Sequence, residues 1–120
     1  MDGDDVRTHC LSLPATGEEY PFGPQAAVYK VAGKMFALLA EDVDPQRVSL
    51  KLPPDEVEAL KAQYEGTVLP GYHLNKRHWV TVLLDGVLDD GEVLGLIEES
   101  YDLVVAGLPK RLRPVAPRGS

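Results

Sequence analysis

The sequence predicts an α+β two-layer sandwich, in which three helices cover one face of a five-stranded antiparallel sheet in the order α-β-β-β-α-β-β-α. Three observations lead there. Strand-like runs come in groups instead of alternating singly with helices. The segment Arg47-Val48-Ser49-Leu50-Lys51-Leu52 alternates apolar and polar residues, so it buries one face only. The last third of the chain carries a broad apolar stripe at helical spacing that needs a surface to cover.

The first helix is short. Asp4 or Asp5 is placed to cap it, and Val6, Cys10 and Leu13 share one face. Pro14 and Gly17 end it, and a loop follows at Tyr20-Pro21-Phe22-Gly23-Pro24. Strands are expected at Ala26 to Val31 and Met35 to Ala40, joined through Ala32-Gly33 as a tight hairpin. After the acidic turn Glu41-Asp42-Val43-Asp44-Pro45 comes the alternating strand, with Val48, Leu50 and Leu52 inward and Arg47, Ser49 and Lys51 outward. Pro53-Pro54-Asp55-Glu56 suits a helix N-terminus, because proline fits the first turn and acids favour its positive end. Val57, Leu60 and Tyr64 continue that helix toward Gly66. A short strand broken at Pro70-Gly71 is expected within 67–75, and a longer one at Trp79 to Leu84. Asp89 and Glu92 make a capping-box pair before the stripe of Val93, Ile97, Tyr101, Val104 and Leu108, which stops at Gly107 and Pro109. Tyr101 lies on the stripe, so its hydroxyl needs a buried partner.

At 120 residues the chain suits a single domain, expected over 1–113 with a flexible tail at 114–120. The tail after Pro109 is basic, broken by proline and expected to fray. The hydrophobic fraction of 44% indicates a folded chain. A formal net charge of -7 argues against a constitutive, non-specific nucleic-acid binder, which needs clustered lysine and arginine. One cysteine excludes a disulfide framework within the chain and fits a reducing compartment. The start, Met1-Asp2-Gly3-Asp4-Asp5, is acidic where a secretory leader is basic and then apolar, and no apolar run approaches a membrane span. The expectation is a soluble cytoplasmic protein.

Catalytic and metal-binding arrangements do not emerge. His73 and His78 have no cysteine or acid at ligand spacing, so no zinc site is expected. His9 and Cys10 diverge on a helix and cannot act as base and nucleophile, and Cys10 reads as a small buried hydrophobe. Glu98 and Glu99 also diverge and suit a solvated face. Gly66 to Gly71 lacks the lysine of a phosphate loop, and Val87 sits where a calcium loop needs Asp or Asn. No enzyme activity, cofactor or metal is expected.

Charge is uneven along the chain. Residues 81–100 hold six acids and no base, whereas residues 21–40 and 61–80 are mildly basic. Strand parity sends Lys30, Arg47 and Lys51 to the face opposite the helices, and Lys76, Arg77, His78 and Trp79 enter the last strand beside them. Such a face suits phosphates, carboxylates or stacked bases. The alternative is ordinary solvated strand charges with Trp79 in the core. Tyr20 and Phe22 form either an aromatic wall beside that face or the anchor of a proline turn.

Several strings, taken in order, resemble the MmcQ/YjbR family: Pro21-Phe22-Gly23, Gly33-Lys34-Met35-Phe36-Ala37, Ser49-Leu50-Lys51, His73-Leu74-Asn75-Lys76-Arg77-His78-Trp79 and Ser100-Tyr101. The resemblance runs from about Asp5 to about Arg113. It implies a double-wing, secretion-chaperone-like α/β sandwich. It makes nucleic acid the conventional partner, and the net acidity of the chain means that such binding should be weak and lost steeply with salt. It carries no catalytic motif. The expected function is recognition of an anionic partner on the open sheet face by Lys30, Arg47, Lys51, Lys76, Arg77, His78, Trp79, Tyr20 and Phe22. A protein-interaction or chaperone-like module and a small anionic-metabolite binder are the alternatives, with a monomer or weak homodimer as the assembly and no membrane partner.

Overall fold

A computed structural model describes residues 1–114, and the rest of the tail expected at 114–120 lies outside the described residues. The element order is α1 (Gly3–Ser12), β1 (Thr16–Glu19), β2 (Ala26–Val31), β3 (Lys34–Ala40), β4 (Arg47–Lys51), α2 (Pro54–Gln63), β5 (Val68–Pro70), β6 (Trp79–Leu83) and α3 (Asp90–Ala106), then a 3-10 turn at Lys110–Leu112. The strands form one antiparallel sheet in the order β1-β2-β3-β4-β6-β5. Helices α1, α2 and α3 all feed one core, in which Val6, Cys10, Val57, Val93, Ile97 and Tyr101 meet Tyr29, Leu39, Val48, Leu50, Val80 and Val82 from alternate strand positions. The α+β class is therefore as expected.

The sheet has six strands, not five. The additional strand β1 is Thr-Gly-Glu-Glu, a short polar edge without β-branched periodicity. Tertiary contacts create it: Glu18 accepts from the Tyr29 hydroxyl at 2.8 Å and from Arg7 Nε at 3.1 Å. Inward-pointing charge on a short edge strand also discourages pairing with another chain. The α1 cap is Asp2 instead of Asp4 or Asp5. Asp2 Oδ1 accepts from the Asp5 N–H, and Asp5 Oδ2 accepts from the Asp2 N–H, both at 3.0 Å, so Asp5 completes the box from the first turn. The α3 box of Asp89 and Glu92 forms as expected, with the Glu92 N–H 2.8 Å from Asp89 Oδ1. Strand β4 ends at Lys51, yet Leu52 is still buried and donates its N–H to the His78 carbonyl at 2.9 Å. Within 67–75 only Val68–Pro70 pairs as a strand, because proline cannot extend the ladder. The tail is ordered through Arg113, whose guanidinium donates to the Leu108 and Ala106 carbonyls at 3.0 and 2.9 Å. The Ala106 bond satisfies a carbonyl group that the end of α3 leaves without a helical partner.

Among the described residues the sheet is interrupted once. Tyr29 pairs with Ala37 but Lys30 pairs with Met35, so Phe36 is an extra residue on β3. The bulge turns Phe36 toward α3, where its ring meets Tyr101 edge-on at 5.2 Å and 89°. It also interrupts the β3–β4 ladder beyond Ala37 and Leu50. The fully buried Ser100 hydroxyl fills the gap, donating to the Phe36 carbonyl at 2.7 Å and accepting from the Lys51 N–H at 2.9 Å. Tyr101 finds its expected partner beside it, donating to the Pro14 carbonyl at 2.6 Å.

Two predictions follow from this geometry. Ser100→Ala strands a buried donor and a buried acceptor, each costing about 1–3 kcal/mol. Denaturant unfolding should show a loss of about 2–4 kcal/mol, whereas Ser12→Ala on the exposed end of α1 should show little. At the β2–β3 hairpin, Ala32 has φ 50° and Gly33 φ 77°, the mirror-image turn that favours Asn-Gly. Ala32→Asn relieves a left-handed alanine and should raise stability by about 0.5–1 kcal/mol in the same measurement.

Candidate functional site

With the helices committed to one face, the chain's own connections finish the other. Register places Val28, Leu38, Ser49, Thr81 and Leu69 in a row across the helix-free face, with Ala26, Ala40, Arg47 and Leu83 in the row at one end. Lys30 with Met35, and Lys51 with Trp79, stand toward the other end. Ser49 and Thr81 share a buried hydroxyl contact of 2.8 Å at the centre. Thr81 Oγ1 also accepts the Tyr72 N–H at 3.1 Å, which pins the β5–β6 connection down onto the face. That connection passes so close that a Cβ on Gly71 would lie 2.7 Å from Trp79 Cβ, so only glycine fits.

Between this connection and the β3–β4 loop lies a cavity of about 600 Å3. Ala40, Arg47, Leu69, Pro70 and Thr81 belong to its strands, and Val43, Tyr72 and Lys76 come from its edges. The lining is mainly apolar and contains two cations but no acid. Each cation is oriented by a backbone carbonyl. Arg47 Nε and Nη2 donate to the Pro45 carbonyl at 3.3 and 3.1 Å, and Lys76 Nζ donates to the Gly71 carbonyl at 3.3 Å. Among the described residues neither forms an ion pair with a carboxylate. Tyr72 is 69% exposed at the rim, against the His73 ring at 4.0 Å. Val43 lines the other side from the β3–β4 loop, with exposed Asp42 and Asp44 as its neighbours in the chain.

The structure thus splits the residues expected to form one site, and of them only Arg47 and Lys76 line this cavity. Lys30 is neutralised by Glu19 at 3.3 Å. Lys51 and His78 line a separate cleft with Pro53, Pro54 and Leu103. Arg77 is exposed in the connection, its N–H held by Asn75 Oδ1 at 2.9 Å. Trp79 is 9% exposed beneath Gly71 and is closed to stacking. Tyr20 accepts from Arg7 Nη2 at 3.3 Å and borders a shallow depression with Gly23 and Pro24, while Phe22 projects into solvent. The cavity residues Val43, Leu69, Pro70, Tyr72 and Thr81 were not singled out from sequence. The available signal was an exposed aromatic directly after Pro70-Gly71, where a turn needs none.

Other titratable groups serve the scaffold. Arg7 gathers Asp4 at 2.8 Å, Glu18 at 3.1 Å and Glu41, joining α1, β1 and the β3–β4 loop, and its bonds to Glu41 first, then to Tyr20 and Glu18, favour its charged form still further. Burial, with Glu18 nearby, pushes the Cys10 thiol up to about 12, so it stays protonated. Tyr29 is likewise held protonated by burial and by its bond to Glu18. His9 Nε2 lies 2.9 Å from Glu98 Oε2. Glu99 diverges from Glu98 as expected but is not simply solvated: burial, then the facing Glu56, then Asp102 raise its carboxyl to about 7. No group of three or more His, Cys, Asp or Glu among the described residues is arranged to hold a metal ion. No helix among them is long and apolar enough to cross a membrane.

These features define a class of small antiparallel-sheet proteins with helices on one face and a loop-walled, cation-bearing cavity on the other. The chain belongs to the YjbR family, whose model matches residues 11–103. It is 38% identical over 101 residues to the uncharacterised protein YbdF of Escherichia coli O157:H7, covering 84% of this chain and 82% of that one. It is 36% identical over 113 residues to the uncharacterised protein YjbR of Escherichia coli K12, covering 94% and 95%. The crystal structure of Deinococcus radiodurans protein DR2400, of family-model domain DUF419, superposes with a TM-score of 0.90 at 38% identity, covering 98% of this chain and 93% of that one.

The Glu99 environment gives a pH prediction. Its folded pKa of about 7 lies above the ordinary 4.5, so the folded state holds a proton that the unfolded chain releases. Its contribution is complete below about pH 4.5 and is lost as pH rises through about 7. Glu99→Gln should therefore gain stability relative to the parent across that window, measured as a growing difference in melting temperature. A constant difference would mean that Glu99 is not held protonated.

Proposed function

We propose that this chain is a non-catalytic binding module that takes an anionic partner on the helix-free face, with Arg47 and Lys76 as the residues that meet it. The observation that carries this reading is the acid-free cavity lining, in which both cations are held by backbone carbonyls instead of carboxylates. A carboxylate or phosphate oxygen can accept a charge-assisted bond from the donors these carbonyls leave unused, since an ammonium carries three N–H groups and a guanidinium five. The reading favours a compact anionic group over nucleic acid. Trp79 offers no stacking surface, Lys30 is already paired, and Lys51 opens into another cleft. An extended polyanion crossing the mouth would also meet Asp42 and Asp44. Non-catalytic use is supported by the protonated Cys10 thiol and by the structural employment of Arg7, Glu18 and Tyr29. A reducing cytoplasm fits a lone buried thiol.

Amide chemical-shift mapping tests the proposal, using sodium phosphate, sodium acetate, sodium hexanoate and a short single-stranded oligonucleotide at low salt. At least one of the compact anions should perturb residues around 40–47 and 69–76. Arg47→Ser with Lys76→Ser should weaken that response by about tenfold or more. The oligonucleotide should bind more weakly, if at all, and be lost as salt rises. No response to any anion, or a response confined to the Lys51–His78 cleft, would overturn the assignment.

A further inference from the structure

We infer that the ligand of this cavity is an amphipathic monoanion: one carboxylate or similar acidic group carried on an apolar aliphatic or aromatic body. The inference rests on the anion-binding reading above and adds the chemistry of the rest of the ligand. A volume of about 600 Å3 is far larger than a bare phosphate or acetate fills and lies in the range of pockets that enclose whole small molecules. Apart from Arg47 and Lys76, the cavity offers little to a polar ligand. Ala40, Val43, Leu69 and Pro70 present hydrocarbon, and Tyr72 presents ring surface. Thr81 supplies a hydroxyl, but its oxygen is already engaged by Ser49 and by the Tyr72 N–H.

A sugar phosphate or a nucleotide would leave many hydroxyl and base groups facing hydrocarbon, at the cost of their bonds to water. An apolar body gains there instead, because Val43 and Tyr72 are exposed when nothing covers them. The number of acidic groups follows from the charges beside Val43. Asp42 and Asp44 stand exposed on either side of Val43, so a second anionic group left outside the cavity meets like charge. The walls are also formed in advance. The Tyr72 N–H bond to Thr81 and the Lys76 bond to Gly71 hold the connection in place without a ligand. Binding therefore need not order a loop.

The test is calorimetric titration with a homologous series of acetate, butyrate, hexanoate and octanoate, with phenylacetate as the aromatic member, inorganic phosphate as the polar anion, and hexanol as the uncharged control. Affinity should rise by up to about fourfold for each methylene buried, then level off once the cavity is full. Hexanol should bind at least about tenfold more weakly than hexanoate. Lys76→Ser should remove part of that charge discrimination, Arg47 keeping the rest, and Tyr72→Asp should weaken hexanoate more than acetate. Both positions are exposed, so folding is not at stake, and Phe22→Ser outside the cavity should change nothing. Equal binding of acetate, phosphate and hexanoate at the same residues would overturn the amphipathic ligand while leaving the broader anion reading intact. Absence of binding by every anion would overturn both. Hexanoate affinity indifferent to Lys76→Ser and Tyr72→Asp would overturn the placement.

Discussion

Where β3 carries its extra residue, the β3–β4 ladder is interrupted, and the Ser100 hydroxyl takes the Phe36 carbonyl and the Lys51 N–H. Much of the architecture follows from that substitution of a side chain for a ladder bond. It fixes α3 to the middle of the sheet at one depth and one rotation, because a displaced hydroxyl would leave both backbone groups buried and unpaired. The rotation places Tyr101 against Phe36 and brings its hydroxyl to the Pro14 carbonyl, which ties the turn between α1 and β1 to the same helix. Arg7 then closes the other side of that unit by joining α1 to Glu18 and Glu41. The strings that carry the family resemblance at Met35-Phe36-Ala37, Ser49-Leu50-Lys51 and Ser100-Tyr101 are the segments that meet at this point.

The same arrangement decides where a ligand could sit. All three helices are spent on one face, so the other is finished by loops, and the loops are held to the sheet by polar contacts instead of a second core. The Ser49–Thr81–Tyr72 chain of bonds is the clearest case. A buried hydroxyl pair there contributes little net stability, but it fixes the height at which the β5–β6 connection crosses the sheet. The gap left between that connection and the β3–β4 loop is the cavity.

Much of this was legible in the sequence, for identifiable reasons. Parity alone put Arg47 and Lys51 on the helix-free side, because alternation is clean in β4. The Asp89–Glu92 box and the Tyr101 stripe were equally direct. What could not be read depends on contacts distant along the chain. Strand β1 has no strand-like composition and exists because Arg7 and Tyr29 bind Glu18. The Phe36 bulge leaves no local mark, since Met35 to Ala40 reads as an unbroken strand. Parity also could not say which outward cations would meet. Lys30 and Lys51 share the face with Arg47, yet Glu19 takes one and the other lines the Pro53–Leu103 cleft.

A net charge of -7 opposes an anion site at long range, and the conflict is settled by distance. Five of the six acids in residues 81–100 lie on or at the start of α3, in the layer behind the sheet, and the sixth, Asp85, is bonded to Thr67. The acids of α3 stand across the sheet from the cavity, whereas Arg47 and Lys76 line it, and a Coulomb interaction weakens with separation. The field inside the cavity is therefore set by its nearest charges, Arg47 and Lys76, with Asp42 and Asp44 beside Val43. A ligand small enough to enter meets the cations at short range through apolar walls, where their attraction is strengthened. A polymer too large to enter stays at the rim and feels the acids. Overall acidity and a local cationic cavity thus act in the same direction, selecting by size among anions.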